Sequence, residues 1–264
     1  MLDNAQLTSY QENGFLLVKG LLSKDEAAAY RAESHALIDR LGRTDADDPT
    51  WGSARELGGV ATKTKLQHCH DVQFQSAAFS KLIVDDRVTG VISDLIGSPN
   101  VQLHHTKMFV KPPEQGSPFP MHQDYPYFPH TKHSMGAVIL HFDDAPEEKG
   151  CVRVVPGSHK NGPLEHISEG GYHLPLSDWP LSAAIPCEAE AGDALFFPYF
   201  LVHGSGVNTS SEARTTLLIQ YRDPADRPAV DTHRSRGQGM MLRGIDPTAA
   251  GGRPPTVGTS MGGM

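Results

Sequence analysis

Hydrophobic and polar positions follow two different periods along this chain. In the first hundred residues apolar side chains recur every three or four positions, as on one face of a helix; further on they alternate or run together, as strands do. Tyr10 to Gly20 reads as a short helix end followed by a strand, Phe15–Val18, closed by Gly20. Ser23 and Glu26 form a capping-box pattern, which starts a helix reaching to about Leu41. Its expected buried stripe is Ala29, Ala32, Ala36 and Leu37, with His35 on the surface. Phe79 through Ile96 reads as one helix, with Leu82, Ile83, Val91, Ile92 and Leu95 as its apolar face and Gly97 as its stop.

The strand signals come later. Thr62 to His68 alternates, and Val101 to Lys111 forms a longer strand ended by Pro112-Pro113. Alternation puts Leu103, His105, Lys107 and Phe109 on one face of that strand, and His104, Thr106, Met108 and Val110 on the other. Ala137–Phe142, Cys151–Val155, Ala194–Phe197 and Arg214–Tyr221 read as further strands. Asp143–Gly150 looks like a hairpin turn between the first two of these, and Pro156-Gly157-Ser158-His159 is a turn by composition. Two long polar stretches, 42–62 and 161–180, are surface excursions or covers over a site. The sum is a mainly β protein with flanking helices and a double-stranded β-helix (jelly-roll, cupin-like) core. We expect a single domain over 1–248, helical in 1–100 and jelly-roll in about 101–222, then a flexible Gly/Pro-rich tail at 249–264.

Composition narrows the partners. The chain has 264 residues, a net charge of −8 and a pI near 5.9, which argues against a nucleic-acid or anionic-membrane surface. No apolar run is long enough to span a bilayer, and Met1 to Gln6 lacks the features of a signal peptide. Cys69, Cys151 and Cys187 are scattered and odd in number, the pattern of free thiols in a reducing cytoplasm. The expected partner is a small molecule, bound by a monomer or homo-oligomer.

The chemistry centres on Phe119–Phe128. His122 and Asp124 flank Gln123, and in extended backbone residues two apart point to one side. A His-x-Asp triplet alone is weak, since the chain has 14 histidines. Its weight comes from His203, which follows an apolar run and precedes Gly204-Ser205, and from Arg214 at the mouth of the next strand. Two imidazoles and a carboxylate on one face of a metal are the ligand set of non-haem Fe(II) oxygenases. A buried guanidinium beside them needs an anion, and its planar fork suits a carboxylate. A cupin-like metal enzyme that does not use 2-oxoglutarate would share the triad but not need Arg214. A non-catalytic metal-binding module would fill every metal position with protein ligands.

The ordered set Lys111-Pro112-Pro113, His122-Gln123-Asp124, Asp143-Asp144-Ala145 with Gly150-Cys151, Val155 to His159, Gly192-Asp193, and His203-Gly204-Ser205 with Arg214 resembles the phytanoyl-CoA dioxygenase family. That is a family of Fe(II)/2-oxoglutarate-dependent oxygenases, and the likeness runs from Asn13 to about Tyr221. The resemblance implies that His122, Asp124 and His203 bind Fe(II) and that 2-oxoglutarate and O2 are co-substrates. It also implies that Arg214, supported by Ser205 and Lys65, holds the far carboxylate of 2-oxoglutarate. Residues after the triplet face substrate in such barrels, which makes Tyr125 and Tyr127 candidate substrate walls. Phe128 reads as ordinary packing. Where the family often has a methionine in the co-substrate pocket this chain has Lys107, so Lys107 or His105 becomes a candidate contact for an acidic substrate. Asp124 argues against halogenation, because halogenases of this class carry a small residue there. Hydroxylation of a small molecule, with release of succinate and CO2, is the expected outcome.

Overall fold

In the computed structural model, residues 2–41, 67–114, 116–168, 172–231 and 235–249 are described. Lys65, the 42–62 stretch and all but Ala249 of the expected tail lie outside them. The helices are α1 (Asn4–Asn13), α2 (Lys24–Leu41), α3 (Ala77–Leu82) and α4 (Asp86–Ile96). The strands are β1 (Leu16–Val18), β2 (Gln67–His70), β3 (Val101–Lys111), β4 (Phe119–His122), β5 (Gly136–His141), β6 (Val152–Val154), β7 (Ile185–Cys187), β8 (Ala194–Pro198), β9 (His203–Ser205), β10 (Arg214–Arg222) and β11 (Met241–Arg243).

Among the described residues these strands form two antiparallel sheets. The larger runs β1-β8-β5-β10-β3-β11, with β2 also paired to β3; the smaller runs β4-β9-β6-β7. The jelly-roll expectation corresponds to this arrangement. The expected hairpin between Ala137–Phe142 and Cys151–Val155 does not. β5 belongs to the large sheet and β6 to the small one, so Asp143–Gly150 crosses between layers. Double-sheet barrels need such crossings, and a turn-rich sequence alone does not distinguish them from hairpins.

One face of the large sheet packs on the helices. Met108, Val138, Leu140, Phe196, Leu217, Ile219 and Tyr221 meet Leu37, Ile38, Phe79, Leu82, Ile83, Val91 and Ile92 in one buried cluster. The Ser23–Glu26 capping box forms, with reciprocal bonds of 2.8 and 3.1 Å. The stripe it starts is rotated from the expected one: Ala29, Ala32 and Ala36 are exposed, while Ala27, Ser34, Leu37 and Ile38 are buried. Alanines bury little area, so the larger Leu37 and Ile38 set the facing side. The expected 79–96 helix is two helices, because Asp85 accepts a bond from Arg87 N and caps a new start at Asp86. His35 is half-buried and bonds Thr215 Oγ1 at 2.9 Å. β11 was not legible as a strand in the polar stretch after Tyr221.

The strictly alternating reading of β3 fails at one point. Gln220 pairs with His105 but Tyr221 pairs with Leu103, so a bulge makes His104 the extra residue of β3. An extra residue flips the alternation beyond it. Leu103 therefore joins the helix-side core, not the face that holds His105, Lys107 and Phe109. The His104 ring packs at 4.5 Å on Phe128 instead.

Candidate active site

Between the sheets lies a cavity of about 210 Å³. Its walls include His122, Asp124 and His203, and also Arg214, Lys107, His105, Phe119 and Phe197. β4 and β9 are neighbours, and His122 and His203 are direct cross-strand partners. Paired residues on adjacent strands present their side chains to the same face, and the two rings stand 4.3 Å apart between centroids. This approach requires glycine at position 204. A Cβ there would lie 2.7 Å from Phe119 O and 2.9 Å from Met121 Sδ.

Asp124 arrives differently from the expected extended geometry. β4 ends at His122, and Asp124 has helical backbone angles (φ −74°, ψ −25°) at the head of a short 3-10 turn, Tyr125–Tyr127. Pro126 favours such a turn at this position. The turn still directs Asp124 Oδ1 to 3.7 Å from His122 Nε2 and 3.9 Å from His203 Nε2. Gln123 points away and anchors the 161–180 stretch: it bonds Gly162 O, Phe200 O and Leu164 N at 2.9, 2.7 and 2.9 Å.

The ligand chemistry fits a metal. His122 Nδ1 donates to Pro120 O at 2.8 Å and His203 Nδ1 to Leu201 O at 3.0 Å, which leaves both Nε2 lone pairs facing inward. Burial, with the neighbouring His203, holds His122 well below the usual histidine range, so it stays neutral. One ligand atom from each of His122, Asp124 and His203 falls within 4.8 Å of the others. Asp124 Oδ2 accepts from Gln220 Nε2 at 3.0 Å.

Arg214 is buried and lines the same cavity. Its Nη1 donates to Gly150 O, and among the described residues its Nε has no partner. Burial lowers its pKa from 12.5 to about 10, so the guanidinium is charged at neutral pH. Such a group suits the distal carboxylate of a dicarboxylate ligand. Next to it, the fully buried Lys111 donates to Ser205 Oγ at 2.7 Å and Gly206 O at 2.6 Å. Burial and Arg214 push the Lys111 pKa well down.

The remaining candidates separate. His105 and Lys107 are buried on the cavity wall, with Lys107 Nζ 4.9 Å above the Phe109 ring. Tyr127 lines the cavity, but Tyr125 does not: it packs on Tyr199 and Phe200 at 5.2 and 4.8 Å. Phe128, read as packing, lines the cavity. The 3-10 turn rotates these side chains out of strand alternation, which exchanges the two aromatics. His70, without a role in the sequence, lines the cavity and bonds His105. Gln220 and Lys111 were likewise missed as functional groups. A buried lysine in a strand cannot be told from an exposed one by pattern.

The family profile for Phytanoyl-CoA dioxygenase (PhyH) matches residues 10–216. The chain belongs to the phytanoyl-CoA dioxygenase family. The peroxisomal phytanoyl-CoA dioxygenase of Rattus norvegicus is 30% identical over 80% of this chain, which spans 66% of the rat protein's length. The ectoine dioxygenase of Streptomyces avermitilis is 28% identical, over 82% of this chain and 77% of its own. Among solved structures, EctD from S. alaskensis, with 2-oxoglutarate and 5-hydroxyectoine, matches with a TM-score of 0.72 at 20% identity, covering 92% of this chain and 86% of that one. The epimerase SnoN, in complex with Fe3+, alpha ketoglutarate and nogalamycin RO, matches with 0.70 at 22%, covering 90% and 98%. The likeness to these structures is one of fold, the jelly roll. Among the described residues no helix is long and apolar enough to cross a membrane.

Proposed function

We propose that this protein is an Fe(II)/2-oxoglutarate-dependent dioxygenase that hydroxylates a small molecule, turning 2-oxoglutarate and O2 into succinate and CO2. The observation that carries this reading is one cavity lined by both groups: three metal-ligand side chains with their donor atoms converging, and a buried guanidinium with an unfilled donor.

His122 and His203 through Nε2, and Asp124 through Oδ1, are the residues that would hold the iron. When bound, the iron and 2-oxoglutarate supply the oxidising chemistry that opens a substrate C–H bond. The chain's own residues bind, orient and exclude water. Arg214 takes the distal carboxylate of 2-oxoglutarate, and Ser205 adds a hydroxyl donor. Lys111 Nζ donates to Ser205 Oγ, which turns the Ser205 proton away from Lys111 and leaves it for the carboxylate. Lys65 remains a proposed further contact. Tyr127, Lys107 and His105 are the proposed substrate contacts. Phe119, Phe197 and Val152 keep that part of the cavity apolar.

Two other readings meet specific obstacles. A metal enzyme that does without 2-oxoglutarate leaves the buried Arg214 Nε without an acceptor among the described residues. A binding module needs more protein ligands than the triad offers among the described residues. We read 1–248 as one catalytic domain, working in the cytoplasm as a monomer or homo-oligomer, without nucleic-acid or membrane partners. All three cysteines are buried and free.

The test is incubation of the purified protein with ferrous ion, ascorbate, 2-oxoglutarate and a small-molecule extract, read by mass spectrometry. The expected result is substrate-dependent succinate and a product heavier by one oxygen. Succinate at the same rate with and without iron rejects the proposal.

A further inference from the structure

A chain of side chains leads from the candidate metal centre to the cavity rim. Asp124 Oδ2 lies 3.0 Å from Gln220 Nε2, Gln220 Oε1 3.3 Å from His105 Nδ1, and His105 Nε2 2.8 Å from His70 Nδ1. Gln220 and His105 are both buried, and His70 is exposed. The carboxylate facing Gln220 accepts only, which fixes the direction of the whole chain. The amide nitrogen of Gln220 must donate to it, so the amide oxygen faces His105 and accepts from Nδ1–H. With His105 in the Nδ1–H tautomer, its Nε2 accepts and His70 donates to it from Nδ1.

The β-bulge sets up this order. With His104 as the extra residue, His105 rather than His104 stands opposite Gln220, and its ring lies on the cavity side. Bulges commonly re-aim a side chain next to an active site.

We infer that Gln220, ordered by His105 and His70, is a positioning residue that occupies one oxygen of Asp124 and presents only the other to the metal. The distances separate the two oxygens: Oδ1 faces both imidazoles at 3.7 and 3.9 Å, and Oδ2 faces the amide at 3.0 Å. Without that bond the carboxylate could turn, and Oδ1 would no longer be held toward the point that the two imidazoles face. Groups that orient a ligand in this way govern metal affinity without touching the metal. This inference rests on the proposed iron site.

The test is anaerobic titration with ferrous ion alone, by calorimetry, on wild type, Gln220→Met, His105→Phe, the double variant and His203→Ala. Methionine keeps the length of glutamine and removes the donor. We expect Gln220→Met to weaken iron binding by about 10- to 100-fold, and His105→Phe by a smaller factor, on the scale of groups behind metal ligands. The double variant should be no worse than Gln220→Met, because His105 acts through Gln220. Cobalt(II) absorption in the same variants reports coordination number, which a role in packing alone leaves unchanged and this one shifts. Losses that multiply in the double variant overturn the inference. So does iron affinity within about twofold of wild type in a folded Gln220→Met or, should that variant not fold, in His105→Phe. Iron binding to wild type that His203→Ala does not weaken is a different failure: it removes the proposed iron site itself.

Discussion

The two faces of β10 are made of the same strand and do opposite work. Leu217, Ile219 and Tyr221 point to the helices and are fully buried in an apolar cluster. Arg214, Thr216, Leu218 and Gln220 point to the cavity, and three of those four carry polar groups that are also buried. Burial on the helix side removes apolar area from water and stabilises the fold. On the cavity side it strips water from groups that then need partners. Gln220 has Asp124 and His105, whereas Arg214 keeps an unfilled Nε among the described residues. The fold is stabilised on one face, and the other is left with a demand for a ligand.

This contrast can be broken from either side. The largest effect is expected on the helix face: Phe79→Ala should cost about 3–5 kcal/mol in denaturant unfolding, through the cavity it opens. The Michaelis constant for 2-oxoglutarate should hardly move in the folded fraction. On the cavity face, Arg214→Ala should weaken 2-oxoglutarate binding by about 100-fold, near 3 kcal/mol, with iron binding retained. Unchanged 2-oxoglutarate affinity in that variant removes the co-substrate assignment.

A third prediction concerns pH. His141 is fully buried beside Arg214, and burial first, then the arginine, holds its pKa down at about 3. The unfolded chain takes up that proton near pH 6.5 and the folded chain only near 3, so its contribution to stability is lost as pH falls through this window. Between pH 7 and 5 the loss should be about 2 kcal/mol from this residue. Burial lowers His122, His130 and His166 as well, with the same sign. His141→Leu should therefore flatten the acid limb in denaturant titrations at pH 7 and pH 5. A limb as steep as wild type would show that another group sets it. The smallest effect belongs to the surface. Lys24 and Glu190 form a 2.7 Å ion pair with both side chains mostly exposed, and Glu190→Ala should leave the thermal midpoint and turnover within error.

The residues that converge were legible because their spacing and order carry them: His122, Asp124, His203 and Arg214 stand out in sequence, and the structure gathers them around one cavity. The strands β3, β8 and β10 were legible from apolar runs. What alternation missed was local irregularity. The bulge at His104 moved Leu103 to the core and aligned His105 with Gln220, and the 3-10 turn after Asp124 exchanged Tyr125 for Phe128 on the cavity wall. Neither leaves a periodic trace, because each is a departure from the period. Lys111 and Gln220 were hidden for another reason: their importance lies in which atoms they reach across the barrel, from residue pairs 94 and 96 positions apart.

The central claim is that one ferrous ion sits among His122, Asp124 and His203, with 2-oxoglutarate reaching from it to Arg214. Anomalous diffraction at the iron edge, from crystals grown without oxygen and soaked with ferrous ion and 2-oxoglutarate, tests this most directly. The account predicts a single strong peak bonded to His122 Nε2, Asp124 Oδ1 and His203 Nε2, and a carboxylate paired with the Arg214 guanidinium. A peak elsewhere, or 2-oxoglutarate bound with Arg214 untouched, would contradict it.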